Sequence, residues 1–279
     1  MPSTKKHLQG LFRSIGVYER LRASWIYDFY WRIADRRMVD DKHKEIGFYR
    51  NLLVGFRRGD LILDIGANYG NKTDIFLRLG ARVAAVEPDE TCQAVLKEKF
   101  HKYRVRQKPV SIVAKAVSDE NSTRTMWVDT PGSALNTLSE KWAETLRSDD
   151  LRFGQKLGFG QWKKVETISV DQLIADYGVP FFVKIDVEGH ELSVLRGMQR
   201  AVPYLSFEVN LPEFRVEGLE CVRLLGNLAD DGKFNYTNDC RRGLLLKNWV
   251  AADEFTTVLA SCAERSIEVF WKTPRLGCS

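Results

Sequence analysis

From residue 59 onward the chain repeats one unit, a short apolar strand, a tight turn and a helix, and nothing else in the sequence restricts the fold so much. Residues 61–64 read as a strand, and 71–79 as a helix stopped by Gly80. Residues 83–86 and 89–100 repeat the pair. Strands are expected at 110–117, 123–128, 165–168, 181–186, 204–209, 234–236 and 267–271, with helices at 170–177, 191–202, 217–230 and 249–262. Such alternation builds an α/β, Rossmann-like domain: a mostly parallel sheet with helices on both faces.

Two stretches depart from the rhythm. Residues 129–164 mix Pro131, Gly132, Gly154, Gly158 and Gly160 with Trp142, Phe153, Phe159 and Trp162. They read as an elaborated loop with a short helix, a region that can shape a substrate pocket with Trp142, Arg152 and Trp162 as walls. Residues 1–45 form a helical, aromatic-rich extension ahead of a main domain at 46–279; in it Leu21, Trp25, Phe29 and Ile33 recur at helical spacing among arginines. Such a helix can make peripheral contact with a membrane surface, or pack on its own domain or a sister subunit as a homo-oligomer.

The net charge of +5 is scattered rather than clustered, which argues against a nucleic-acid partner. Five widely spaced cysteines with no C-x-x-C pair argue against a thiolate zinc site and fit free thiols in a reducing compartment. No apolar run has the length of a signal peptide or a membrane span, so a cytoplasmic location is expected.

The densest local signal is Asp64-Ile-Gly66-Ala-Asn68-Tyr-Gly70-Asn-Lys-Thr73, a strand running through a glycine turn into a helix. Glycines there allow close approach of a ligand to the backbone, and the helix start offers free N–H groups. A dinucleotide fingerprint requires glycine where Asn68 stands, and the third glycine is missing. Asp64 supplies a carboxylate suited to a sulfonium and ammonium cation. Glu87, about 20 residues beyond Gly66, stands where an acid takes both ribose hydroxyls. An adenosyl ligand with a ribose and no phosphates fits: S-adenosylmethionine. The bland alternative is that these acids cap helices and the glycines merely turn the chain.

The second signal is Lys184-Ile-Asp186-Val-Glu188-Gly-His190-Glu191. Lys184 interrupts an otherwise apolar strand and shares a face with Asp186, so a charged partner or a wet cleft is expected beside it. Glu208 ends the following strand. Lys184, Asp186, Glu188, His190 and Glu208 can surround one acceptor hydroxyl, with His190 the convenient base because it titrates nearest neutrality. Equally, Glu188 and Glu191 are spaced as helix caps, His190 can be an ordinary surface residue, and Asp186, Glu208 and Asn210 offer oxygens to a divalent cation.

With Val86-Glu-Pro-Asp89, Ala116-Val-Ser-Asp119 and Ser206-Phe-Glu208, these stretches resemble the FkbM family of S-adenosylmethionine-dependent methyltransferases from about residue 48 to 271. The resemblance implies a seven-stranded sheet with a reversed last strand, here 267–271, and O-methylation of a sugar, glycan or small natural product. It implies that Asp64, Gly66, Asn68, Gly70 and Glu87 hold the cofactor, that Ala116, Val117 and Ser118 flank the adenine, and that Asp186, Glu188 and His190 face the acceptor; Thr73, at the start of the helix after the glycine turn, is a further candidate for the cofactor. Tyr69 stands where the family commonly has an aliphatic residue. Competing readings are an RNA ribose 2′-O-methyltransferase, which the missing basic cluster disfavours, and a non-catalytic cofactor-binding protein. An NAD oxidoreductase is disfavoured by Asn68, and methylation of a base nitrogen by the Val-Glu-Gly that follows Asp186.

Overall fold

A computed structural model describes residues 36–101, 109–149 and 157–273. The expected aromatic helix before residue 35, Arg152 and Cys278 lie outside them. The first helix of the described residues, α1 (Arg36–Leu52), runs across the expected boundary at residue 45.

The core alternates as β1 (Leu61–Ile65), α2 (Asn71–Leu79), β2 (Arg82–Val86), α3 (Glu90–Lys99) and β3 (Val110–Val113). Beyond a subsidiary segment it resumes with α5 (Val170–Tyr177), β7 (Phe182–Ile185), α6 (Glu191–Arg196) and β8 (Tyr204–Asn210). It closes with α7 (Arg215–Leu228), β9 (Lys233–Thr237), α8 (Ala252–Ser261) and β10 (Ser266–Lys272). The seven-stranded sheet is ordered β3-β2-β1-β7-β8-β10-β9. Only β10 is reversed, pairing antiparallel with both neighbours. This is the seven-stranded α/β sheet with a reversed last strand that the resemblance implies, and the order reverses between β1 and β7. Ligands bind beyond the strand ends at such a switch point.

The central strands are apolar on both sides because both sides are covered. Leu61, Leu63 and Ile65 of β1 join one buried cluster with Val183, Leu205 and Phe207. Ile62 joins the other with Phe76, Phe182 and Tyr49 of α1. The Tyr49 ring lies 5.1 Å from Phe76 and 5.9 Å from Phe182, pairs worth roughly 0.5–1.5 kcal/mol each beyond burial. They fix α1 over α2 and β7. Gly80, at φ 94, closes α2 and donates its N–H to Leu77 and Phe76 carbonyls, the expected stop.

Two sequence expectations need correction. The strand expected at 110–117 divides at Ala114 and Lys115. Its end, β4 (Ala116–Val117), leaves for a separate three-stranded sheet with β5 (Thr123–Val128) and β6 (Gln161–Ile168), ordered β4-β6-β5. In that sheet β5 runs antiparallel to β6, so 165–168 is not part of the main parallel array. Alternation in sequence cannot say which sheet a strand joins. The helix expected at 191–202 stops at Arg196, because Gly197 packs against the backbone of Ser118 and Asp119 and the chain turns there. The short helix expected within 129–164 is α4 (Glu140–Ser148), capped by the Ser139 hydroxyl on the Trp142 N–H.

Candidate functional site

Gly66 and Asn68 leave β1 with φ of 80° and 47°, both left-handed. Asn68 tolerates this because its Oδ1 accepts the Tyr69 N–H at 2.7 Å. Gly66 has no substitute: a Cβ there would stand 1.7 Å from the Asp186 carbonyl oxygen. The bare α-carbon lets the first turn lie directly on the end of β7, where the Asp186 N–H also donates to the Ile65 carbonyl at 3.0 Å. The two sequence signals are therefore one site. Gly70, at φ 71, serves packing instead, since a Cβ would strike Leu96 and Phe100.

A cleft opens over this junction, walled by Gly66, Asn68, Glu87, Ala116, Val117 and His190. Asp186 and Glu188 complete its floor. Glu87 is buried, and each oxygen takes one backbone N–H, Asn68 on Oε2 and Asp89 on Oε1, both at 2.8 Å. Burial nevertheless raises its carboxyl to about 7. Each oxygen retains a lone pair for a hydroxyl of a bound diol.

Asp64 is placed differently from expectation. It is completely buried and does not wall the cleft. Its Oδ2 accepts the buried Thr73 hydroxyl, and its Oδ1 has no hydrogen-bond partner among the described residues. Burial raises its pKa against the opposing field of Lys184. Asp64 and Thr73 thus sit beneath the turn, since β1 pairs residue for residue with β7 and Asp64 lies opposite Lys184. Ser118 is likewise buried behind the cleft and reaches it through His190, 2.9 Å from Oγ to Nε2.

At the end of β7, Lys184 is buried with its Nζ 2.7 Å from Asp186 Oδ2, the charged partner that its position demanded. Burial alone would lower the lysine, but Asp186, Glu268 and Asp64 together raise it, and Lys184 in turn holds Asp186 low. Glu208 donates a hydrogen bond to Asp186; burial and the Asp186 charge push its carboxyl well above the usual range. Glu188 occupies a left-handed turn at φ 54. Its Oε2 accepts the Trp142 indole N–H at 3.0 Å and its carbonyl the Thr137 hydroxyl at 2.7 Å. Burial and Asp186 raise it to about 8. Oxygens of Asp186, Glu188 and Glu208 lie within 4.8 Å of one another, a donor set of the kind a hard divalent cation takes. Glu191 is structural, though not as the N3 partner of a cap at Glu188 that the spacing suggested: α6 starts at Glu191 with His190 before it, and Glu191 Oε1 accepts the Val187 and Gly189 N–H groups and shapes the preceding turn.

His190 does not titrate near neutrality. Burial first, and then Arg124, push it to about 4, so the ring is neutral at physiological pH. Sequence order hid the proximity of Arg124, which lies on β5.

A second cavity, of about 370 Å³, lies on the other side of Asp186, which walls both spaces. Lys184 and Glu208 face it with Lys72, Cys240, Arg241 and Glu268. The five acceptor-side residues thus divide, Glu188 and His190 toward the cleft and Lys184 and Glu208 toward the cavity. Lys72, Cys240, Arg241 and Glu268 escaped the sequence reading. Glu268 alone carried a signal, an acid between Ile267 and Val269 in an otherwise apolar strand. The proposed walls fare unevenly: Trp142 is buried behind Glu188, while Trp162 remains 59% exposed and borders neither space. The loop contributes instead through Ser133, Ala134, Asn136 and Thr137, which line the cleft.

The Methyltransferase FkbM domain profile matches residues 64–227, which is more than half of the chain and includes both halves of this site. The chain belongs to the FkbM methyltransferase family. The hexuronic acid methyltransferase AglP of Haloferax volcanii is 28% identical over 190 residues, 64% of this chain and 64% of that protein. The FkbM methyltransferase of Methylobacillus flagellatus aligns with a TM-score of 0.48 and 14% identity, covering 78% of this chain and 44% of that one. An O-methyltransferase of Thermotoga maritima aligns at 0.38 with 12% identity, covering 82% and 64%. The chain thus spans under two thirds of the length of each of these three proteins.

Proposed function

We propose that this FkbM family member transfers a methyl group from S-adenosylmethionine to a hydroxyl oxygen of a sugar, glycan or small hydroxylated natural product. The observation that carries the reading is that, among the charged side chains of the described residues, Asp186 alone walls both the glycine-turn cleft and the cavity beyond β8. Family membership supports a methyltransferase, and the sugar-directed name of AglP supports the acceptor class.

The cleft residues suit the cofactor. Glu87 would take the ribose diol, Ala116 and Val117 supply an apolar wall for adenine, and Gly66 and Asn68 bring the backbone close. Asp64, with its orphaned oxygen under the turn, adds negative field from behind rather than contact. Bound there, S-adenosylmethionine supplies an electrophilic methyl on a sulfonium centre.

The remaining work belongs to the chain. Asp186, with 37% of its side chain open, accepts the hydrogen bond of the acceptor hydroxyl and turns a lone pair toward the cleft. Lys184 keeps that carboxylate ionised and fixes its rotamer at 2.7 Å. A carboxylate held this low is a weak base toward a free alcohol. It suffices because a hydroxyl becomes strongly acidic as its oxygen gains a methyl, so the base need only be ionised and in place. Positioning of this kind can contribute roughly 7–11 kcal/mol. Glu208 donates to the far side of Asp186 and steadies it, and neutral His190 leaves no like charge beside a sulfonium. A cytoplasmic location is part of this proposal; no helix among the described residues is long and apolar enough to cross a membrane.

The test is Asp186→Asn. Turnover on a hydroxyl acceptor should fall about 10²–10⁴-fold while S-adenosylhomocysteine affinity stays within about threefold. Full turnover in the variant would remove Asp186 from the reaction.

A further inference from the structure

We infer that the cavity beyond β7, β8 and β10 takes a sugar ring without a carboxylate, neutral or amino-bearing, and turns away a uronic acid. This rests on the proposed sugar methylation and specifies its acceptor.

The three cations that the described residues set on the cavity's walls are each already bound by carboxylates of this chain. Lys184 holds Asp186 at 2.7 Å, and Lys72 holds Glu45. Arg241 is clamped by Asp239 through two parallel contacts of 2.8 Å, Nε to Oδ1 and Nη2 to Oδ2, and its Nη1 meets Asp41 at 2.7 Å. A bidentate clamp uses the fork by which arginine otherwise captures a ligand carboxylate. No cation on these walls is without such a partner among the described residues.

Among the described residues the acids outnumber the bases, five side chains against three; Glu208, which holds its proton beside Asp186, adds no charge, so four negative groups face three positive ones. Among the described residues Glu268 is the charged acid outside any ion pair, with Lys72 and Lys184 nearby but each paired elsewhere; neutral donors serve it and Glu208. Glu268 accepts the Ser206 hydroxyl at 2.8 Å and the Cys240 thiol at 3.2 Å, and Glu208 the Ser266 hydroxyl at 2.6 Å. A ligand carboxylate entering this space must face these acids, or pull a lysine or arginine from its partner and leave a carboxylate uncompensated. Like-charge juxtaposition and a broken ion pair both disfavour it. Hydroxyl and ammonium groups are donors, and carboxylates accept from them. The same walls that repel a uronate therefore suit a polyol or an amino sugar.

The experiment uses the full chain saturated with S-adenosylhomocysteine, in ligand-observed NMR titrations at low ionic strength and neutral pH. The probes are matched methyl glycosides, methyl aminoglycosides and methyl uronides in the gluco, galacto and manno series. In any series that binds, the uronide should be at least about tenfold weaker than its neutral counterpart. Asp239→Asn, on the exposed loop after β9, frees one face of Arg241 and should narrow that gap at least about threefold. A uronide that binds as well as or better than the glycoside overturns the inference, and so does a gap that Asp239→Asn leaves unchanged. Failure of all three series, with the cofactor product bound, also overturns it while leaving the cofactor reading intact. Failure to bind S-adenosylhomocysteine at all falls on the proposed methyl transfer instead.

Discussion

Replacing Gly66 by alanine isolates the contact that joins the two halves of the site. The substitution has two costs. The residue sits at φ 80, which charges an L side chain roughly 1–2 kcal/mol. Its Cβ would also lie 1.7 Å from the Asp186 carbonyl oxygen and 2.8 Å from its carbon, backbone atoms that cannot rotate away. Forcing them apart costs about 1–3 kcal/mol by analogy with overpacked cores. The expected loss is therefore about 2–5 kcal/mol, a large share of a typical folding free energy. Gly59→Ala is the control. That residue has φ 95 with nothing within 4 Å of a built Cβ, so only the conformational cost of roughly 1–2 kcal/mol applies. Urea denaturation of both variants with the wild type measures the difference. S-adenosylhomocysteine affinity should fall at least tenfold for Gly66→Ala and stay unchanged for Gly59→Ala. If Gly66→Ala is no less stable than Gly59→Ala and binds normally, the turn does not rest on Asp186 as described.

Further outcomes follow from the same geometry. Glu87→Gln sets an NH₂ against one of two backbone donors and removes the charge from the diol contact. With charged hydrogen bonds worth about 1.5–3 kcal/mol, calorimetry should show S-adenosylhomocysteine binding weakened about 10–100-fold, and unchanged affinity would refute the role of Glu87. Burial raises Glu87 to about 7, Glu188 to about 8 and Glu191 to about 7, so the folded protein keeps protons that the unfolded chain releases above about 4.5. Their contribution to stability is present at low pH and lost as pH rises through 7–8, whereas His190, lowered to about 4, acts oppositely between about 4 and 6.5. Scanning calorimetry of the ligand-free protein should therefore show a melting temperature that falls from pH 6.5 to 8, with Glu188→Gln flattening the upper part; a rise would contradict the burial of these acids. Because Lys184 already serves as the counter-cation of Asp186, turnover is expected to survive EDTA, and a loss that Mg²⁺ restores would show that the three carboxylates recruit a metal in preference.

Much of this protein was legible in one dimension because the responsible physics is local. Apolar strands of four or five residues and the Gly80 stop each act within one or two turns of chain, and they set the α/β class and the element order. The glycine turn announced itself through backbone conformation, and Lys184 through the cost of burying a charge, so its need for a partner could be stated before the partner was seen. What depended on distant residues could not be read. Which sheet β4 and β6 join is decided by pairing partners, not by their own pattern. His190 looks like a near-neutral base until burial and Arg124, 66 positions earlier in the chain, depress it. Asp64 looks like a ligand contact until the β1–β7 register sets it beneath the turn, opposite Lys184. The cavity walls at Lys72, Arg241 and Glu268 come from three separate elements whose charges acquire meaning only once each is seen to be paired or not. Residue identity thus determined which groups carry charge and where the backbone can bend. Packing alone determined which charges meet, how far water is kept from them, and hence which remain available to a ligand.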